Sequence, residues 1–167
     1  EELSGVMGMA VMGSVPLFKN RNGKPAVSLK DEPLEGSMAQ AYGFLRTNLG
    51  YASLGTQDIK ILLVTSSGPK EGKTTTAANL AIGLAREGKN TLLIDLDLRK
   101  PTVHRLFDLD KDQGFTNVLL NHLTLEQALQ STQVPRLSVL TSGPQPPDVA
   151  NVLRSNMIPK IMEEFRQ

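Results

Sequence analysis

A lysine and a threonine stand where a glycine-rich loop gives way to a helical pattern, and they are the residues best suited to chemistry. Lys73 and Thr74 follow Gly72, and the loop ahead of them follows an apolar run at 59–64. The first amides of a helix have no intrahelical partner, and the helix dipole adds partial positive charge there. A polyphosphate accepts hydrogen bonds from these amides and is attracted by the positive charge. The lysine can then reach the outer phosphates, and the threonine hydroxyl is a ligand for Mg²⁺. The spacing therefore predicts a phosphate-binding loop, or P-loop.

The predicted nucleotide contacts run from this loop into the first helical turn. They are Ser67, Gly68, Pro69, Lys70, Glu71, Gly72, Lys73, Thr74 and Thr75. The usual pattern opens with glycine, and here that position is Ser67. Gly68 and Gly72 still allow the backbone to approach the phosphates closely. The alternative is a Ser/Gly-rich turn with a surface lysine, and an acidic motif further along the chain argues against it.

An acidic motif is the second group of residues that could take part in catalysis or metal binding. Asp95, Asp97 and Arg99 follow the apolar stretch 91–94. Ligands of open α/β sheets lie beyond the carboxyl ends of the strands, so these residues should face the P-loop across one site. Two carboxylates two residues apart at a strand end should point the same way, and with Thr74 they are the predicted metal ligands. One carboxylate could accept the proton of an attacking hydroxyl, and Arg99 could neutralise phosphate charge.

Alternating strands and helices are predicted to position these groups. The predicted strands are 59–65, 91–95 and 136–141. The first predicted helix begins at Ser37, and the others are 73–87, 101–107, 114–120, 124–130, 149–153 and 158–165. Ser37, Thr102, Thr124 and Asp148 are the predicted helix caps. The pattern favours an α/β fold, a P-loop NTPase-like three-layer α/β/α arrangement with a mostly parallel and incomplete sheet.

Composition limits the classes of function. The chain has 167 residues, a net charge of +1, no cysteine and two histidines. Disulfides and thiolate metal sites are thereby excluded, and nothing favours nucleic acid as a partner. The apolar run 6–17 is too short to cross a bilayer, which takes about 20 residues. We expect residues 1–35 to be an N-terminal segment and linker, and 36–167 to be a nucleotide-binding domain that is incomplete at its C-terminus.

Several motifs together resemble the bacterial tyrosine kinases, called BY-kinases. The acidic motif is similar to their second, Walker A′, motif, and the P-loop carries their Pro-x-Glu-Gly-Lys-Ser/Thr pattern. The segments that carry the resemblance are 10–16, 45–48, 69–74, 93–101, 114–119 and 142–147. The first of these resembles the segment after the second transmembrane helix of polysaccharide co-polymerases.

The resemblance implies an ATP- and Mg²⁺-dependent kinase that phosphorylates clustered tyrosines in trans between subunits of a ring. Lys73 and Thr74 would bind phosphate and Mg²⁺, Asp95 would activate the tyrosine hydroxyl, and Asp97 would lie on the metal side. With Arg99 these are the predicted catalytic residues, with ATP or ADP as the nucleotide. The implied place is the cytoplasmic face of the bacterial inner membrane, reached through an N-terminal transmembrane region. The implied partner is the machinery that exports capsular polysaccharide or exopolysaccharide.

Three features depart from that family. Its subunit-contact motif, Glu-x-x-Arg-x-x-Arg, falls on Gln40, Gly43 and Arg46, of which only the last is kept. No apolar strand ending in aspartate, the Walker B motif, follows the acidic motif, and the only tyrosines are Tyr42 and Tyr51. We therefore expect weak or no activity from this chain alone.

Two other functions stay open. The first is an ATPase switch of the partitioning and septum-placement type, although Gly68 stands where such ATPases carry a second lysine. The second is a pseudo-kinase adaptor that binds ATP within a polysaccharide export complex.

Overall fold

The computed structural model describes residues 10–17, 36–53, 59–154 and 157–164. They fall into two compact units, which divide between Leu62 and Leu63. The predicted linker at 18–35 lies outside the described residues, so the predicted boundary after residue 35 stays a prediction. None of the described helices is both long enough and apolar enough to cross a membrane.

Among the described residues of the first unit, helix α1 spans Gly36–Ser53. The helix begins at Gly36, so Ser37, the predicted cap, lies inside it, and Met38 and Tyr42 are buried. The side-chain amide of Asn48 donates a hydrogen bond of 2.6 Å to the carbonyl oxygen of Met12. That bond ties the extended segment 10–17 to the helix.

The second unit contains the predicted alternation of helices and strands. Its elements are α2 Lys73–Arg86, β1 Thr91–Ile94, α3 Val103–Phe107, α4 Phe115–Leu119, α5 Leu125–Ala128, β2 Gln130–Ser131, β3 Leu137–Leu140, α6 Val149–Leu153 and α7 Met157–Glu164. The predicted caps of α5 and α6 are confirmed. The Thr124 hydroxyl accepts from the amide of Gln127, and the Asp148 carboxylate accepts from the amide of Asn151.

The described sheet has three strands in the order β1-β3-β2. β1 and β3 are parallel, with Thr91 opposite Leu137 and Ile94 opposite Leu140. Helices α4, α5 and α7 contribute to the core beside β3, with Phe115, Ala128 and Leu140 fully buried. β2 pairs antiparallel with β3 and was not predicted. A strand of two residues has no room for the alternation of apolar and polar side chains by which strands are recognised.

The predicted strand at 59–65 is wrong for the described residues, because no strand is assigned there. Ile59, Ile61, Leu62 and Leu63 are 47%, 38%, 45% and 77% exposed, whereas a parallel strand in an α/β sheet is expected to be buried. An apolar run is buried as a parallel strand only when strands pair with it and helices cover it. None of the described strands pairs with this segment.

The loop after β3 is locked to the start of α4 by backbone contacts. The amides of Phe115 and Thr116 donate to the carbonyls of Thr141 and Ser142, at 2.8 and 3.0 Å. Gly143 has φ +75°, and a Cβ built there would collide with the Thr116 hydroxyl. This interlock holds the loop at the carboxyl end of β3, next to the end of β1.

We expect Gly143→Ala to lower the free energy of unfolding by about 1–3 kcal/mol, because alanine resists positive φ and its methyl group would meet Thr116. Urea unfolding of the variant measures this change. The matched control is Gly43→Ala, in the interior of α1 and in open space, which should raise the unfolding free energy by about 0.5–1 kcal/mol. Equal unfolding midpoints for Gly143→Ala and the wild type would contradict the interlock.

Candidate functional site

The P-loop reaches α2 through residues in the left-handed conformation. Gly72, at the N-cap position, has φ +87°, and Lys70 has φ +62°. The amide of Thr76 donates to the carbonyl of Gly72 at 2.8 Å, and this bond begins the helix. Gly72 has no side chain to cap the amides of residues 73–75, and these amides also lack an intrahelical acceptor. The start of α2 therefore offers backbone N–H groups and positive dipole charge to an anion.

The ammonium group of Lys73 lies over the loop. Its Nζ donates to the Ser66 hydroxyl at 3.0 Å and to the Gly68 carbonyl at 3.1 Å. Both acceptors belong to the loop that precedes the lysine, so the charge is held where the sequence predicted a phosphate. A polyphosphate entering the loop would meet this cation together with the amides of α2.

Glu71 turns its carboxylate back onto the loop. It accepts hydrogen bonds from the Gly68 amide at 3.0 Å and from the Ser67 hydroxyl at 3.2 Å. The Gly68 amide is the largest cause of a pKa that lies below the ordinary glutamate value. Glu71 therefore carries a negative charge that shapes the loop, and its predicted contact with the nucleotide stays a prediction.

Asp95 lies just beyond β1 and is 6% exposed. One carboxylate oxygen accepts from the Asp97 amide at 3.1 Å, and the other accepts from the amides of Thr102 and Val103, both at 3.1 Å. Burial raises the pKa of Asp95 above its ordinary value, and the three hydrogen bonds oppose that shift without cancelling it. Asp95 therefore satisfies the first amides of α3.

This arrangement corrects the predicted cap of α3. Thr102 occupies the N-cap position, but its side chain makes no capping hydrogen bond. The carboxylate of Asp95 takes that role from a distant position in the sequence. Local sequence could not show that Asp95 caps this helix in place of Thr102, because a threonine before a helix usually caps it.

Asp97 and Arg99 are exposed, in contrast to Asp95. β1 ends at Ile94, so the expectation that the two carboxylates point the same way by strand alternation does not hold. Asp97 instead accepts from the Lys100 amide at 3.0 Å. Its exposed carboxylate is available to a metal ion, and Arg99 is available to an anion.

A direct contact joins the start of α2 to the turn that holds Asp95. The hydroxyl oxygens of Thr74 and Thr102 are 3.2 Å apart. The structure thus brings together the P-loop and the acidic motif, as the sequence predicted, and it does so through Thr102. That residue was missed as a site residue, and the only signal for it was a threonine after the acidic motif.

The donor groups here suit Mg²⁺. Thr74 provides a hydroxyl oxygen, and Asp95 and Asp97 provide carboxylate oxygens. Among the described residues no group of three or more His, Asp or Glu side chains could hold a metal by itself. Mg²⁺ is commonly held in this way, by one or two protein oxygens together with substrate phosphates and water.

A protein-family model described as an AAA domain matches residues 59–164. The chain is 48% identical over 126 residues to tyrosine-protein kinase YwqD of Bacillus subtilis (strain 168), covering 75% of this chain and 53% of that protein. It is 35% identical over 135 residues to putative tyrosine-protein kinase CapB of Staphylococcus aureus, covering 81% and 58%. The chain therefore spans just over half the length of these curated relatives.

Solved structures resemble the chain over nearly its whole length. The crystal structure of the chimerical protein CapA2B2 matches with a TM-score of 0.84 and 30% identity, covering 99% of this chain and 69% of that one. The kinase domain of Escherichia coli tyrosine kinase ETK matches with a TM-score of 0.83 and 24% identity, covering 98% and 67%. The predicted P-loop NTPase-like α/β fold is confirmed by these likenesses.

Proposed function

The chain belongs to the AAA domain family and, within it, to the bacterial tyrosine kinases, and on that premise we propose that it is the nucleotide-binding part of a protein-tyrosine kinase that uses ATP and Mg²⁺. One observation carries the proposal beyond the family name. The Thr74–Thr102 contact joins the first turn of α2 to the turn that holds Asp95, which supports a shared site for the phosphate-binding and acidic groups.

Each residue has a role that its surroundings support. The first amides of α2 and Lys73 bind the phosphates, and Thr74 and Asp97 would hold Mg²⁺, which would supply positive charge against the phosphates. Asp95 accepts the proton of the tyrosine hydroxyl, and its burial favours this role because the raised pKa makes it a stronger base than an exposed aspartate. Arg99 adds positive charge at the exposed side of the site.

We further propose that the protein regulates synthesis and export of capsular polysaccharide or exopolysaccharide at the cytoplasmic face of the bacterial inner membrane. The kinase names of the relatives support this setting, and one further relative, 29% identical over 147 residues, is named putative tyrosine-protein kinase in cps region of Klebsiella pneumoniae. Its partners would be the export machinery and further copies of itself in a ring. In α1, Arg46 matches the ring-contact motif, whereas Gln40 and Gly43 depart from it.

Phosphotyrosine formation tests the proposed activity. The full-length protein incubated with ATP and Mg²⁺ should gain phosphotyrosine, and the gain should disappear with EDTA or with ADP in place of ATP. Mass spectrometry of the product measures the modified tyrosines. Nucleotide binding without any phosphotyrosine would contradict the kinase and favour the adaptor. ATP hydrolysis that drives dimerisation, again without phosphotyrosine, would favour the partitioning-type switch.

A further inference from the structure

We propose that Thr102 is a positioning residue for Thr74, and that its hydroxyl holds the Thr74 hydroxyl in the orientation that binds Mg²⁺. This inference rests on the proposed function, because it concerns the same nucleotide and metal site. Thr102 lies outside both the P-loop and the acidic pair Asp95 and Asp97.

The Thr102 hydroxyl does not cap its own helix, although its N-cap position would give it that role. A threonine at an N-cap normally accepts a hydrogen bond from an amide of the first helical turn. Here the side chain makes no such bond, and Asp95 accepts from the amides of Thr102 and Val103 instead. The hydroxyl is therefore free to bind a group outside its own helix.

The Thr102 hydroxyl is hydrogen-bonded to a residue of another helix. Thr102 Oγ1 lies 3.2 Å from Thr74 Oγ1, across 28 positions of sequence. Either hydroxyl can donate or accept. When the Thr74 oxygen gives a lone pair to a metal ion, its proton needs an acceptor on another side. In the structure the Thr102 hydroxyl donates to Thr74, and rotation of the two hydroxyls lets Thr102 accept from a metal-bound Thr74 instead and so fix the direction of the Thr74 hydroxyl.

The backbone of Thr102 is itself held in place. Its amide donates to the carboxylate of Asp95, which is buried and also bonded to the amides of Val103 and Asp97. The Thr102 backbone is thus anchored at the start of α3, and the hydroxyl projects from a fixed point. Partners that orient a metal ligand in this way commonly change metal affinity by about 10–100-fold when they are removed.

The test is the Mg²⁺ dependence of nucleotide binding by the full-length protein. The probe is N-methylanthraniloyl-ADP, titrated at a series of Mg²⁺ concentrations and in EDTA. Thr102→Val keeps the shape and removes the hydroxyl, and we expect it to raise the half-saturating Mg²⁺ concentration about tenfold. Thr102→Ser keeps the hydroxyl and should stay within about twofold of the wild type. Binding in EDTA should be the same for all three proteins.

Thermal unfolding of each variant separates positioning from folding. Wild-type Mg²⁺ dependence in Thr102→Val would overturn the inference and leave the proposed function standing. Equal losses in Thr102→Val and Thr102→Ser, with weaker binding in EDTA and a lower Tm, would also overturn it by showing a structural role. If the wild type itself shows no Mg²⁺-dependent binding, the proposed function fails and the inference fails with it.

Discussion

Replacing Lys73 with methionine is expected to reduce phosphotyrosine formation by about a hundredfold or more, as loss of a charged group on the transferring phosphate does in other enzymes. Methionine has a similar unbranched length but no charge and no donor. Lys73 Nζ lies at 3.0 and 3.1 Å from two oxygens of the loop, so the charge is already positioned for a phosphate. Affinity for ATP should fall as well. Quantitative phosphotyrosine assays and nucleotide titration measure the two effects.

The matched control is Lys89→Met, at an exposed lysine after α2. The Lys89 amide donates to the Leu84 carbonyl and the Lys89 carbonyl accepts from the Thr91 hydroxyl, so this variant removes the same charge without touching the loop. Its activity and nucleotide affinity should equal those of the wild type. Full activity in Lys73→Met, or equal losses in both variants, would contradict the role of Lys73.

Asp95→Asn should remove most of the activity and also destabilise the fold. The substitution takes away the proton acceptor, and general bases contribute about 10²–10⁴-fold to rates. It also turns an amide group toward backbone N–H donors that now meet a carboxylate oxygen. A buried donor left without an acceptor costs about 1–3 kcal/mol. Rate assays and urea unfolding measure the two consequences separately.

The pH dependence of this destabilisation has a definite sign. Burial raises the pKa of Asp95 in the folded protein above its ordinary value. A carboxyl group with a raised folded pKa contributes stability at pH values below its unfolded pKa, and that contribution is lost as pH rises through the folded pKa. The wild type should therefore exceed Asp95→Asn in unfolding free energy by more in acid than at neutral pH. A difference that grows toward neutral pH would contradict burial as the dominant cause.

Two further aspartates separate chemistry from folding. Asp97→Asn should lower activity while leaving the unfolding free energy within about 0.5 kcal/mol of the wild type, as is usual for exposed positions. Asp108 is exposed and has φ +54°, a conformation that asparagine tolerates, so Asp108→Asn should change neither quantity. Inactivation by Asp108→Asn would show that charge in this region acts non-specifically.

The parts of the fold that follow from local sequence were predicted well. The P-loop helix, the strands at 91–94 and 137–140 and the caps at Thr124 and Asp148 each have signals within a few residues. The segment 59–65 shows the limit of such signals. Its apolar side chains predict a strand, yet strand formation needs a hydrogen-bonding neighbour, and none of the described strands provides one.

The candidate site divides in the same way. Lys73, Thr74 and Asp95 were predicted as site residues from residue type and spacing, because Gly-Lys-Thr at a helix start followed by an acidic strand end is typical of nucleotide sites, and their roles stay predictions. The roles of Thr102 and Glu71 could not be predicted, since each depends on which of several possible acceptors or donors lies nearest in the folded chain. Thr102 was predicted to cap its own helix and instead contacts Thr74.

The crystal structure of the full-length protein with Mg²⁺ and a non-hydrolysable ATP analogue tests the central claim most directly. We expect the β- and γ-phosphates to lie within hydrogen-bond distance of Lys73 Nζ and of the first amides of α2. We also expect Mg²⁺ at about 2.0–2.1 Å from Thr74 Oγ1, with the Asp97 carboxylate beside the metal ion. An analogue bound away from the P-loop, or a metal ion remote from Thr74 and both carboxylates, would contradict it.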